Sequence, residues 1–180
     1  MMQLAPTTLP AIRLTLGDDL ETIQRQSTYR FPPRQLSGTG VIAAGEPVIF
    51  EYARPGCGFR LPPARSFGAS VDEAQAVSII VSPQLRYIQL TDALGLIDYI
   101  NRLLERSSWS LSKRYPTADQ VPSRGKQYEA NHLEIRVADW RCGDDELYIE
   151  LARRRQREDG LNYDLCLVSV KIVNERLRAK

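Results

Sequence analysis

Thr91-Asp92-Ala93-Leu94-Gly95-Leu96-Ile97-Asp98-Tyr99-Ile100-Asn101-Arg102-Leu103-Leu104-Glu105-Arg106-Ser107 is the stretch whose reading decides the fold. Ala93, Leu96, Ile97, Ile100, Leu103 and Leu104 recur at helical spacing, so one face of the segment is apolar. Thr91 is read as the N-cap and Asp92 as a first-turn carboxylate that complements the helix dipole. Asp98, Asn101, Arg102, Glu105 and Arg106 fall mostly off the stripe and are read as a solvated face. An apolar stripe of this width must be buried, and the sequence on either side supplies strands to bury it.

On the C-terminal side three strands are predicted, Leu133 to Trp140, Glu146 to Arg154 and Tyr163 to Val173, separated by Gly143-Asp144-Asp145 and Glu158-Asp159-Gly160. In the middle one Leu147, Ile149 and Leu151 alternate with Tyr148, Glu150 and Ala152, so at least one face belongs to the core. This is the pattern of a three-stranded meander. Between the helix and these strands, residues 110–126 contain Pro116, Pro122 and Gly125 and are read as a surface crossover. Trp109, just past the helix, is read as a core or lid aromatic.

On the N-terminal side Ala11 to Leu16 alternates as a half-buried strand does, and Gly17-Asp18-Asp19 offers a turn and an N-cap for a short helix to Gln26. Tyr29 to Gly45 is dense in Pro and Gly and is read as irregular. Val48 to Tyr52 and Gly58 to Leu61 flank Arg54-Pro55-Gly56 and predict a hairpin; Ala76 to Val81 and Leu85 to Ile88 predict further strands. The fold class is therefore α+β, an antiparallel sheet packed against one main amphipathic helix. Residues 1–180 form a single domain, within which sub-lobes 1–110 and 127–180 are conceivable.

The composition excludes several function classes. A formal charge of +2 is too small to make nucleic acid or an anionic membrane the main partner. No apolar run reaches the roughly 20 residues of a membrane-spanning helix. Met1-Met2-Gln3-Leu4-Ala5-Pro6 lacks the segments of a secretory signal, so the expected location is cytoplasmic as written, and periplasmic or membrane-tethered if a leader or anchor was removed. The three cysteines, Cys57, Cys142 and Cys166, are read as small buried side chains or free thiols, with one disulfide open to an exported chain. Cys142 and Cys166 are expected to lie too far apart to bond, and a bond of Cys57 is undecided.

His132 is the only histidine, which excludes a histidine metal cluster. Gly38-Thr39-Gly40 lacks the third glycine of a dinucleotide fingerprint. Asp139, Asp144, Asp145 and Glu146 cluster at one hairpin, where turn chemistry explains them without catalysis or metal. No catalytic, cofactor-binding or metal-binding residue is assigned. Arg153, Arg155 and Arg157 form a short basic row that either grips anionic groups or guards a strand end.

Three stretches carry a resemblance: Leu16 to Ile23, Phe50-Glu51-Tyr52 through Pro62-Pro63, and Leu90 to Leu94 through Trp109. Together they resemble small proteins encoded beside bacterial toxin effectors, including immunity proteins of type VI secretion. The resemblance implies a protein-binding module that neutralises a cognate toxin by occluding it. The expected contacts are Asp144, Asp145 and Glu146 on one hairpin, Arg153, Arg155 and Arg157 beside it, and the Tyr29 to Gly45 loop. An envelope scaffold module and an uncatalogued enzyme are the alternatives.

Overall fold

A computed structural model describes residues 8–36, 39–116, 132–158 and 161–178. The strands are β1 (Ala11–Leu14), β2 (Gly40–Ala43), β3 (Ile49–Tyr52), β4 (Phe59–Arg60), β5 (Ser66–Asp72), β6 (Gln75–Ser82), β7 (Ile88–Gln89), β8 (Ser110–Arg114), β9 (His132–Cys142), β10 (Asp145–Glu158) and β11 (Leu161–Asn174). The helices are α1 (Leu20–Gln26), α2 (Leu90–Arg106) and α3 (Glu175–Arg178), with a 3-10 turn at Pro33–Gln35.

The protein is α+β with a large antiparallel sheet. Eight strands join in the order β2-β5-β6-β11-β10-β9-β8, with β7 also paired to β11, and a smaller sheet has the order β1-β3-β4. Since β6 pairs with β11, the large sheet draws strands from both halves of the chain. The smaller sheet contains a parallel pair, β1 with β3, between segments that local sequence gives no reason to join.

Burial follows the alternation. On β10 Leu147, Ile149 and Leu151 are fully buried, and on β11 so are Cys166, Val168, Val170 and Ile172. Helix α2 covers this face, packing on β11 and β10, and buries Ala93, Ile97, Ile100 and Leu104. Each of the three larger side chains contributes roughly 1.5–3 kcal/mol relative to exposure. The small sheet closes the rest of the core through stacking of Phe50 on Phe67 and contacts of Tyr52 and Phe59 with Trp109.

Several local expectations are corrected. The N-cap of α2 is Gln89 rather than Thr91, because Leu90 already has helical geometry. Asn101 is buried, not solvated: its Oδ1 accepts a hydrogen bond from Trp140 Nε1 at 3.1 Å. Gly40–Ala43 of the supposedly irregular loop and Ser110–Arg114 of the supposed crossover are edge strands, and residues 117–126 lie outside the described residues. Strand β5 was not expected at all, since Ser66, Gly68 and Ser70 mask the alternation of Phe67, Ala69 and Val71. Of Leu85 to Ile88 only Ile88 is in a strand.

Gln84 accounts for that last difference. Its side-chain oxygen accepts from Val168 N at 2.8 Å and its Nε2 donates to Cys166 O at 3.0 Å. The amide thus takes the place of a backbone peptide beside β11, between the parts of that strand paired with β6 and with β7.

Two of the three cysteines depart from the free-thiol reading. Cys57, in the β3–β4 turn, is bonded to Cys142 at the end of β9, with Cα atoms 6.3 Å apart, and Cys166 is buried and takes no part in a disulfide.

Candidate functional site: the outward face of β8, β9 and β10

The register of β8, β9 and β10 lines up side chains on the face of the sheet turned away from the core. Asp139 stands opposite both Lys113 and Tyr148, Arg136 opposite Glu150, and Arg141 opposite Glu146. A register shift between Ile149 and Glu150 keeps Arg136 on this face despite the intervening buried Val137 and Ala138.

These side chains interlock. Tyr115 Oη donates to Asp139 Oδ2 at 2.8 Å, and Arg136 Nε lies 3.2 Å from Asp139 Oδ1. The Arg136 guanidinium sits 3.5 Å from the centroid of the Tyr148 ring, a cation–π contact. Tyr148 Oη donates to Glu146 Oε2 at 2.5 Å, and Arg141 completes the chain by bonding the other Glu146 oxygen. Lys113 Nζ lies 4.5 Å from the centroid of the Tyr115 ring.

The electrostatics follow from this geometry. The Tyr148 hydrogen bond and then Arg141 hold the Glu146 carboxyl below the ordinary carboxylate range. Partial burial, then the hydrogen bond to Glu146, push the Tyr148 hydroxyl up to about 12. Against the desolvation that burial imposes, Asp139 and Tyr115 hold the charge on Arg136 and raise its pKa. The cations Arg136, Arg141 and Lys113 share the face with the carboxylates Asp139, Glu146 and Glu150, so it is close to charge-balanced. It presents planar aromatic and guanidinium groups whose rotamers are already fixed.

The carboxylates that cluster in sequence are separated in space. Asp139 and Glu146 belong to the outward network. Asp144 is at the turn, paired with Arg176 at 2.9 Å. Asp145 is a correction, because it points inward with no solvent exposure and so is not a surface contact. It accepts hydrogen bonds from Tyr52 Oη, from Arg54 and from Asn174 Nδ2. Burial first, then the Asp145 contact, push the Tyr52 hydroxyl well above its ordinary range.

Arg153, the first residue of the basic row, does not lie on this face. Arg153 is opposite Cys166 and shares the side of Leu151, whereas Glu146 is on the other side of β10. Arg155 and Arg157 continue β10 opposite Asp164 and Asn162, and their side chains lie outside the described residues. Of the Tyr29 to Gly45 segment, Tyr29 is buried and its hydroxyl accepts from Gly45 N at 3.0 Å, which closes the segment on itself. Sequence reading missed Tyr115 and Arg136, and took Asp139 for a turn residue. The alternation of β10 did mark the face of Tyr148, but cross-strand register is needed to bring Arg136, Asp139 and Tyr115 to it.

Two other features bear on chemistry. An open groove of about 800 Å3 lies beside α1, lined in part by Asp19, Leu20, Gln24, Arg25 and Leu36. Its Asp19 is occupied as the α1 cap, accepting from Thr22 N at 2.7 Å. Among the described residues no helix is long and apolar enough to cross a membrane, and no group of His, Cys, Asp and Glu could hold a metal ion.

The fold and this face define an α+β domain with a large antiparallel sheet, one face of which carries a fixed aromatic and charged surface. No family model matches the chain, and no curated protein or solved structure is significantly similar to it.

Proposed function

We propose that this protein is a protein-binding module that recognises its partner through the outward face of β8, β9 and β10, and in its most concrete form an immunity protein that covers a cognate bacterial toxin. The observation that carries the reading is Arg136, held between the Tyr148 ring and the Asp139 carboxylate. Tyrosine and arginine dominate the energetics of protein interfaces, and side chains fixed beforehand lose little entropy on binding. The platform is anchored in the sheet through β10, which is paired on both sides, and the near-balance of charge favours a polar partner surface over a polyanion.

The test is capture with tagged wild-type protein and with the Arg136→Ala/Tyr148→Ala variant from cells that produce the protein, followed by calorimetry on the isolated partner. A single stoichiometric partner whose affinity falls about 30-fold in the variant, roughly 2 kcal/mol, supports this interface. Equal affinity for both proteins moves the interface elsewhere. A partner that is harmless when expressed alone removes the immunity reading and leaves recognition.

A further inference from the structure

Two non-covalent ties, both to the Asp145 carboxylate, hold the β3 end and the turn carrying Cys57 against the turn that follows Cys142, and Trp109 fixes Cys57 from a third side. Trp109 Nε1 donates to Cys57 O at 2.8 Å. Arg54, three residues before Cys57, reaches across to Asp145, three residues after Cys142, and Tyr52 bonds the same carboxylate. Gly143, at φ +61, brings its backbone so close to Arg54 that a Cβ there would lie 3.4 Å from Nη2. The two cysteines are therefore juxtaposed by groups other than themselves, across a sequence separation of 85 residues.

We infer that Cys57–Cys142 is a native structural disulfide, selected by these contacts over any pairing with Cys166, and that the protein is made to work in an oxidising compartment. Cys166 is fully buried on the core side of β11 and so is withheld from exchange. Cys142 is the more accessible of the bonded pair and Cys57 is nearly buried. The Cys142 thiolate attacks the disulfide of an oxidised dithiol donor, forming a mixed disulfide and releasing one donor thiolate. The Cys57 thiolate then attacks the Cys142 sulfur, forming the intramolecular bond and releasing the second donor thiolate. Two protons and two electrons leave the chain, and the donor is reduced to a dithiol. Closing a loop across a sequence separation of 85 residues removes much chain entropy from the unfolded state.

The experiment has three readings. Cells that naturally produce the protein are quenched in acid and alkylated, and the digested protein is mapped by mass spectrometry. The expected result is a Cys57–Cys142 linked peptide, with Cys166 alkylated only after unfolding; Cys57 and Cys142 both alkylated as thiols would overturn the compartment assignment. Reduced protein is then refolded with oxidised glutathione. Dominance of Cys57–Cys142 is expected, and equal amounts of the three pairings would overturn templating by the fold. Finally, reduction should lower the thermal midpoint by roughly 5–15 °C; an unchanged midpoint would deny the bond its structural role.

Discussion

Asn174, the last residue of β11, donates from Nδ2 to Oδ1 of Asp145, the first residue of β10, at 2.8 Å, with both side chains inside the protein. The other carboxylate oxygen accepts from Tyr52 and Arg54, so Asp145 links the small sheet to the large one. Asp145→Ala leaves Tyr52 without its acceptor and Arg54 without its counter-charge, and should cost roughly 3–5 kcal/mol. Asp145→Asn keeps the shape and loses the charge, and should cost less. Urea denaturation of the three proteins measures this. Equal stability of wild type and Asp145→Ala would show that the sheets are held by packing and the Cys57–Cys142 bond without this carboxylate.

Gln84 hydrogen-bonds two backbone groups of β11, Cys166 O beside the β7 pairing and Val168 N in the gap between the parts paired with β7 and with β6. Gln84→Ala should cost roughly 1–3 kcal/mol for each group left unsatisfied. Gln84→Glu keeps an acceptor for Val168 N but cannot, when ionised, donate to Cys166 O, so its deficit should shrink on acidification. Hydrogen exchange at the Val168 amide should accelerate in Gln84→Ala and much less in Gln84→Glu, which keeps its acceptor; unchanged exchange in Gln84→Ala would mean that water replaces the amide without penalty.

Glu146 and Tyr148 give opposite pH dependences. The folded-state value of Glu146 lies below its ordinary 4.5, so its stabilisation is present above that value and is lost as pH falls through the folded value. Tyr148 is raised from 10 to about 12, so its contribution is complete below pH 10 and is lost as pH rises towards 12. Glu146→Gln should flatten the acid limb of the stability profile. Tyr148→Phe should remove one late-titrating group from the tyrosinate absorbance curve, and an unaltered curve would contradict the Glu146 hydrogen bond.

The β5–β6 hairpin turns on Glu73 and Ala74, at φ 46 and 65, a left-handed conformation that neither residue favours. Glu73 is exposed, so replacing it sacrifices no packing, although the Ala74 methyl contacts the core. Glu73→Asn/Ala74→Gly should stabilise the protein by roughly 1 kcal/mol, raising the thermal midpoint by about 2–4 °C. A lower midpoint would show that the Ala74 methyl outweighs the relieved strain.

The alternation of Leu147, Ile149 and Leu151, the helical spacing of Ala93, Ile97, Ile100 and Leu104, and the Asp19 cap were all legible from the chain, because each is a periodicity or a contact within a few residues. The same logic failed at β5, where Ser66, Gly68 and Ser70 become strand only because β2 and β6 flank them. It also failed at Asn101, whose partner Trp140 is 39 residues away.

The amino-acid sequence by itself determined the α+β class, the apolar stripe of α2 and the two-sided alternation along β10. Tertiary structure alone decided that Cys57 meets Cys142, that Gln84 stands in for a peptide, that Asp145 is interior while Glu146 is not, and that Arg136, Asp139, Tyr115 and Tyr148 share one surface. The division has a physical cause. Side-chain period and local capping are short-range properties of a strand or helix, whereas strand register and the pairing of distant segments are fixed by how the whole core closes.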